Sequence, residues 1–144
     1  MNRLCLTYRI TVLLLGLLVC SITLASSPGS DVTLQLHNST GIELRAWRIN
    51  GQAQRQLRFP PLQAGEHRLE VRMHYEIPGW RRSGGFGESH WRTCIMQLPP
   101  VSLQAGNHYH IRARRLGRDP QLWLEDATGK QLQRASIRSC GPGL

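Results

Sequence analysis

Lysine is almost missing from this chain: Lys130 is the single example, and arginine supplies the rest of the 18 basic residues. Acidic residues are also scarce, nine in 144, which leaves a formal net charge of +9. That scarcity argues against an enzyme built on paired carboxylates. Glu66, Glu70, Glu76 and Glu88 fall at turns, wet strand faces or an irregular stretch, with no local pairing to support glycoside hydrolysis. No serine sits in a nucleophile elbow. The run Ser83-Gly84-Gly85-Phe86-Gly87 lacks the lysine and the following helix that let a glycine-rich loop cradle phosphate. No block of five like charges occurs, and no helical period appears after the N-terminal segment. A non-enzymatic protein is therefore expected, and nucleic acid is not an expected partner.

The N-terminus has the order of a secretory signal. Arg3 and Arg9 precede an apolar run from Ile10 to Ala25, and Ser26-Ser27-Pro28-Gly29 follows. The run is short for a membrane span of about 20 residues. Cleavage after Ala25 makes residues 1–25 a signal helix, 26–30 a linker and 31–144 one domain with a net charge of +7, placed in the periplasm or secreted. Leu17-Leu18-Val19-Cys20 resembles a lipidation site, but Val19 stands where a small residue is needed, so a lipid anchor at Cys20 is the less favoured alternative.

Cys94 and Cys140 remain after cleavage, and in an oxidising compartment two remaining cysteines read as one disulfide. The rest of the domain alternates apolar and polar residues in short runs. Asp31–His37 is the first, and Gly41–Ile49 the second, with a phase slip at Ala46-Trp47 that predicts either a strand covered on both faces or a bulge at that point. Asn50-Gly51 predicts a type I′ hairpin turn into a return strand Ala53–Phe59. Asn38-Ser39-Thr40 spells a glycosylation acceptor within a turn cluster, of consequence only in a eukaryotic host.

Two near-copies follow. Leu62-Gln63-Ala64-Gly65-Glu66-His67 and Leu103-Gln104-Ala105-Gly106-Asn107-His108 each come after a Pro-Pro pair and each lead into a strand, Arg68–Tyr75 and Tyr109–Arg114. Their apolar positions are out of phase by one residue, so recurrent turn chemistry explains the echo at least as well as duplication. Trp91–Leu98, Gln121–Asp126 and Lys130–Ile137 complete the expected strands, with a tail from Ser139 that Cys140 pins. Strands with turn signals at this spacing predict an all-β fold, a single immunoglobulin/transthyretin-like β-sandwich of about seven or eight strands.

Residues 77–90 have neither period and read as a long loop, the first choice for a contact surface. Trp80, Arg81, Arg82, Phe86, Trp91 and Arg92 interleave planar rings with guanidinium groups there, and Arg112, Arg114 and Arg115 form a second basic cluster. Both suit polyanionic glycan, lipopolysaccharide or acidic lipid headgroups. The competing reading places Trp80 and Trp91 as caps on the core and the arginines as a solvated face. His108 and His110 share a strand face, yet Arg112 and Arg114 beside them oppose a cation, so neither metal nor cofactor is expected. His67, next to a turn, reads as a structural histidine.

Ile49-Asn50-Gly51, Ala64-Gly65-x-His67-x-Leu69-x-Val71 and Ala105-Gly106-x-x-Tyr109-x-Ile111 together resemble PEGA-type β domains and small signal-bearing periplasmic β proteins. The resemblance spans about residues 42–113 and implies a surface-associated β domain with no particular site residue. The resulting expectation is an exported, envelope-associated binding or scaffolding protein. The alternatives are an accessory protein that pairs a strand edge with an envelope partner chain, and a small hydrolase.

Overall fold

A computed structural model describes residues 31–80 and 85–141. The expected signal over residues 1–25, Cys20 and the expected linker over 26–30 lie outside the described residues. The described chain is all-β. Its strands, in chain order, are β1 (Thr33–His37), β2 (Ile42–Ile49), β3 (Gln52–Ala53), β4 (Gly65–His67), β5 (Leu69–Trp80), β6 (Phe86–Gln97), β7 (Val101–Leu103), β8 (His108–Leu116), β9 (Asp119–Asp126), β10 (Gln131–Arg134) and β11 (Ser136–Gly141). They make a four-stranded sheet in the order β1-β8-β9-β10 and a five-stranded sheet in the order β11-β6-β5-β2-β3. A two-stranded ribbon of β4 and β7 accompanies them.

Period-two patterning decides which face of each sheet turns inward. Leu69, Val71, Met73, Tyr75 and Ile77 of β5 are buried, together with Cys94 and Met96 of β6. From the other sheet, Leu34, Tyr109, Ile111, Leu122 and Leu124 join the same core. Fully burying one such side chain contributes about 1.5–3 kcal/mol. The Tyr75 hydroxyl donates to the Arg118 carbonyl at 3.3 Å, and burial raises its pKa above the ordinary phenol value.

The slip at Ala46-Trp47 is a bulge. β2 and β5 pair continuously except between Ala46 and Arg48, so Trp47 is the extra residue. Ala46 stays inward, Arg48 faces outward opposite Glu70, and Ile49 returns to the core side. Asn50 and Gly51 take φ of 50° and 84°, as a type I′ turn requires.

Cys94 and Cys140 are register partners on β6 and β11, and they are disulfide-bonded across a sequence separation of 46. On the loop-entropy view, closing a loop of that size contributes about 4 kcal/mol.

Several expectations need correction. The return strand ends at Ala53, not Phe59: residues 55–58 are exposed, and only Phe59 reaches the core. The described residues of the stretch 77–90, which are 77–80 and 85–90, are mostly strand rather than loop. β5 and β6 continue pairing through Ile77↔His90, Gly79↔Gly87 and Trp80↔Phe86, so much of it is a hairpin arm. Gly79 approaches the Gly87 and Glu88 backbone too closely for a Cβ, a role that composition alone does not separate from loop chemistry. Lys130–Ile137 is two strands, because the chain crosses between sheets at Ala135, whose N–H bonds to the Leu122 carbonyl.

The two near-copies pair with each other, but not as equivalents. β4 follows the Leu-Gln-Ala of the first copy, whereas β7 runs into the Leu that opens the second, and Gly65 sits opposite Leu103.

Candidate functional site

The described strands of the four-stranded sheet present a largely polar outer face, with Leu116 exposed at one end of it. On β8, Tyr109 and Ile111 point inward, so His108, His110, Arg112 and Arg114 point outward. On β9 the inward Leu122 and Leu124 leave Gln121, Trp123 and Glu125 outward. Cross-strand pairing then sets Arg112 beside Trp123, Arg114 beside Gln121 and His110 beside Glu125. Arg134 of β10 lies opposite Trp123 on its other side, and His37 of β1 lies opposite Arg112.

Side-chain contacts fix this arrangement. The Arg112 Nε–H donates to Glu125 Oε2 at 2.7 Å, and the Trp123 indole N–H donates to Glu125 Oε1 at 2.6 Å. Both carboxylate oxygens are thereby engaged, and the Glu125 pKa falls below the usual carboxylate value, chiefly through the Trp123 bond. The Arg114 guanidinium lies 5.7 Å from the Trp123 ring centre, within cation–π range, and its Nε–H donates to Gln121 Oε1 at 2.9 Å. His37 Nε2 and His110 Nδ1 are 2.8 Å apart. Burial lowers the His37 pKa, and the cationic Arg112 and neighbouring His110 lower it further against the opposing pull of Glu125. Among the described residues, no group of three or more His, Cys, Asp or Glu side chains is placed to hold a metal ion.

The sequence candidates do not form a single site. Arg112 and Arg114 lie on this face, whereas Arg115 has the opposite strand parity and donates to the Gly117 carbonyl at 2.6 Å. Trp91 belongs to the other sheet, on its outer face. It is 51% exposed, and its ring stacks on His74 at 4.8 Å between centroids and 8° between planes. Arg92 pairs with inward-facing Tyr75 and so lies on the opposite parity from Trp91. Trp80 and Phe86 are register partners at the end of the β5–β6 arm. Arg81 and Arg82 lie outside the described residues.

The outer face of the five-stranded sheet holds features that sequence reading overlooked. Trp47, turned outward by the bulge, has the Arg48 and Arg72 guanidinium carbons 5.8 and 5.7 Å from its ring centre. Glu70, read from the alternation as a wet residue, is only 3% exposed. Arg138 of β11 bonds its Oε1, and Arg48 lies 3.7 Å from Oε2. The bulge signal at Ala46-Trp47 was sufficient to place Trp47, but nothing local showed that β11 would bring Arg138 across β6 to Glu70.

Comparison with known protein families, with curated proteins and with solved structures finds no match to this chain.

Proposed function

We propose that this is an exported, non-enzymatic protein of immunoglobulin/transthyretin-like architecture that binds polyanionic surfaces at the cell envelope through the outer face of the four-stranded sheet. One observation carries the reading. The described strands set Arg112, Arg114 and Arg134 around Trp123 with three histidines alongside, and Glu125, the carboxylate bonded to Trp123, already uses both oxygens on Arg112 and Trp123. Positive charge around an aromatic ring on a flat sheet suits sulfate, phosphate or carboxylate groups spaced along a chain or membrane surface. Arginine suits this chemistry because its planar fork meets such groups in pairs of hydrogen bonds.

The test is retention on immobilised heparin as a function of salt, alongside co-sedimentation with lipopolysaccharide and with phosphatidylglycerol vesicles. Arg114→Ala combined with Arg134→Ala lowers the eluting salt and weakens co-sedimentation several-fold, while Arg55→Ala with Arg58→Ala, outside this face, has a smaller effect. Equal losses in the two pairs would reduce the binding to net charge and remove the face from consideration.

A further inference from the structure

β1 is an edge strand, and its free edge is not finished. In its parallel pairing with β8, Thr33 donates its N–H to the Asn107 carbonyl, and the register Thr33↔His108, Gln35↔His110, His37↔Arg112 follows. In a parallel ladder both main-chain groups of one residue face the same neighbour. The odd residues of β1 therefore serve β8, and the even ones face away. Val32 obeys this, exchanging both of its bonds with Leu62 at 2.6 and 2.9 Å. Leu34 and Leu36 face the same way, and among the described residues their outward N–H and C=O groups have no partner.

The chain begins to cover this edge and then abandons it. Antiparallel continuation from Leu62↔Val32 would set residue 60 against Leu34, but residues 60 and 61 are both proline and residue 60 has no N–H to donate. Beyond that point a groove of about 570 Å³ opens between the two sheets, with Leu34, Leu36, Leu44, Leu57 and Phe59 among its walls. Leu34 is only 4% exposed. Unpaired main-chain groups on so buried a residue cost free energy unless something bonds to them.

We infer that this edge is a docking site for an extended segment of another protein, added as a further strand beside β1. Side chains of an added strand alternate between the groove and the outer sheet face. The inward positions meet leucine and phenylalanine, so they are apolar. The outward positions run past Thr33, Gln35 and His37, and Arg58 stands at the groove rim, so an acidic side chain there gains an ion-pair partner. Glu43, at the groove, is already held by Arg45 at 2.7 Å, which leaves Arg58 as the uncompensated charge at that rim. A second copy of this chain would bring the same cations against one another, so the partner is a different, acidic-alternating strand.

The probe is a blocked peptide that alternates aspartate with valine or leucine, titrated into the full mature chain with amide NMR and hydrogen exchange as readouts. Expected are shifts and at least tenfold slower exchange at the Leu34 and Leu36 amides. At least tenfold weaker binding is expected when lysine replaces aspartate, when the same residues are arranged without alternation, or when alternate peptide nitrogens are methylated. Leu36→Pro removes an outward N–H at a strand edge, where proline is tolerated, together with one apolar wall of the groove, and weakens binding by a similar factor; the methylated peptide isolates the main-chain contribution and gives that information if the variant does not fold. Failure to bind at millimolar peptide overturns the inference, as does equal binding of the methylated form. Protection of the same two amides that rises with protein concentration alone would assign the edge to a second copy instead, and that too overturns it.

Discussion

The Asn50 side chain ties together two turns that lie far apart in the chain by bonding both His67 and its neighbour. His67 Nε2 is 2.8 Å from the Gln63 carbonyl, which can only accept, so that nitrogen carries the proton. Nδ1 is then the acceptor for the Asn50 amide at 3.3 Å, while Asn50 Oδ1 accepts the Arg68 N–H at 2.8 Å. This is the structural histidine expected from its place beside a turn. Asn50→Ala loses both side-chain bonds and strains a position at φ 50°, so we expect a loss of about 1–2 kcal/mol in urea unfolding. Asn50→Gly keeps the backbone and loses about half as much. A double-mutant cycle with His67→Ala should show coupling of about 0.5 kcal/mol or more; strict additivity would mean the contact contributes nothing.

Gly79 sets the geometry of the β5–β6 arm. A Cβ built on it would lie 2.0 Å from the Glu88 carbonyl oxygen and 2.9 Å from the Gly87 carbonyl carbon, both of them backbone atoms that cannot swing aside. The pairing register shifts between Ile77 and Gly79, so the two backbones close together beside an irregularity. Gly79→Ala should open the arm beyond Ile77 while leaving the core half of both strands intact. Hydrogen exchange at Gly87 and Glu88 should rise at least tenfold, with Met73 and Cys94 unchanged. Unchanged exchange at Glu88 would show that the close approach is unnecessary.

How much of this was legible depended on the range of the interaction. Asn50-Gly51, the Trp47 slip and the inward row Leu69-Val71-Met73-Tyr75 are local, and each could be read from a few consecutive residues. The Cys94–Cys140 bond was legible because setting aside the two cysteines of the expected signal leaves a single pairing. Residues 77–90 misled because glycine and proline mark loops and close-packed strand pairs alike. The burial of Glu70 was not legible, since it depends on β11 crossing from the other sheet at Ala135 and bringing Arg138 with it. For the same reason Arg112 and Arg114 could be set on one face by parity, whereas Trp123 and Arg134 joined them only through the pairing of β8, β9 and β10.

His37 makes the fold sensitive to mild acid. Its imidazole is half-buried against His110, with Arg112 and Glu125 on the neighbouring strands, and burial followed by the Arg112 charge holds its pKa below the ordinary 6.5. The unfolded chain therefore binds the proton more readily than the folded one. The stability that neutral His37 contributes is complete above pH 6.5 and is lost as pH falls through the lowered folded value. Glu125 and Asp126 are also shifted downward from 4.5 and 3.8, so their contributions disappear only in stronger acid. Urea midpoints measured between pH 7.5 and 5 consequently separate the His37 contribution from those of Glu125 and Asp126. His37→Gln retains an amide that can donate to His110 but does not titrate, so its midpoint should fall less over that interval than that of the unmodified chain. Parallel decline of the two proteins would assign the acid sensitivity to other groups and leave the His37–His110 contact without a role in it.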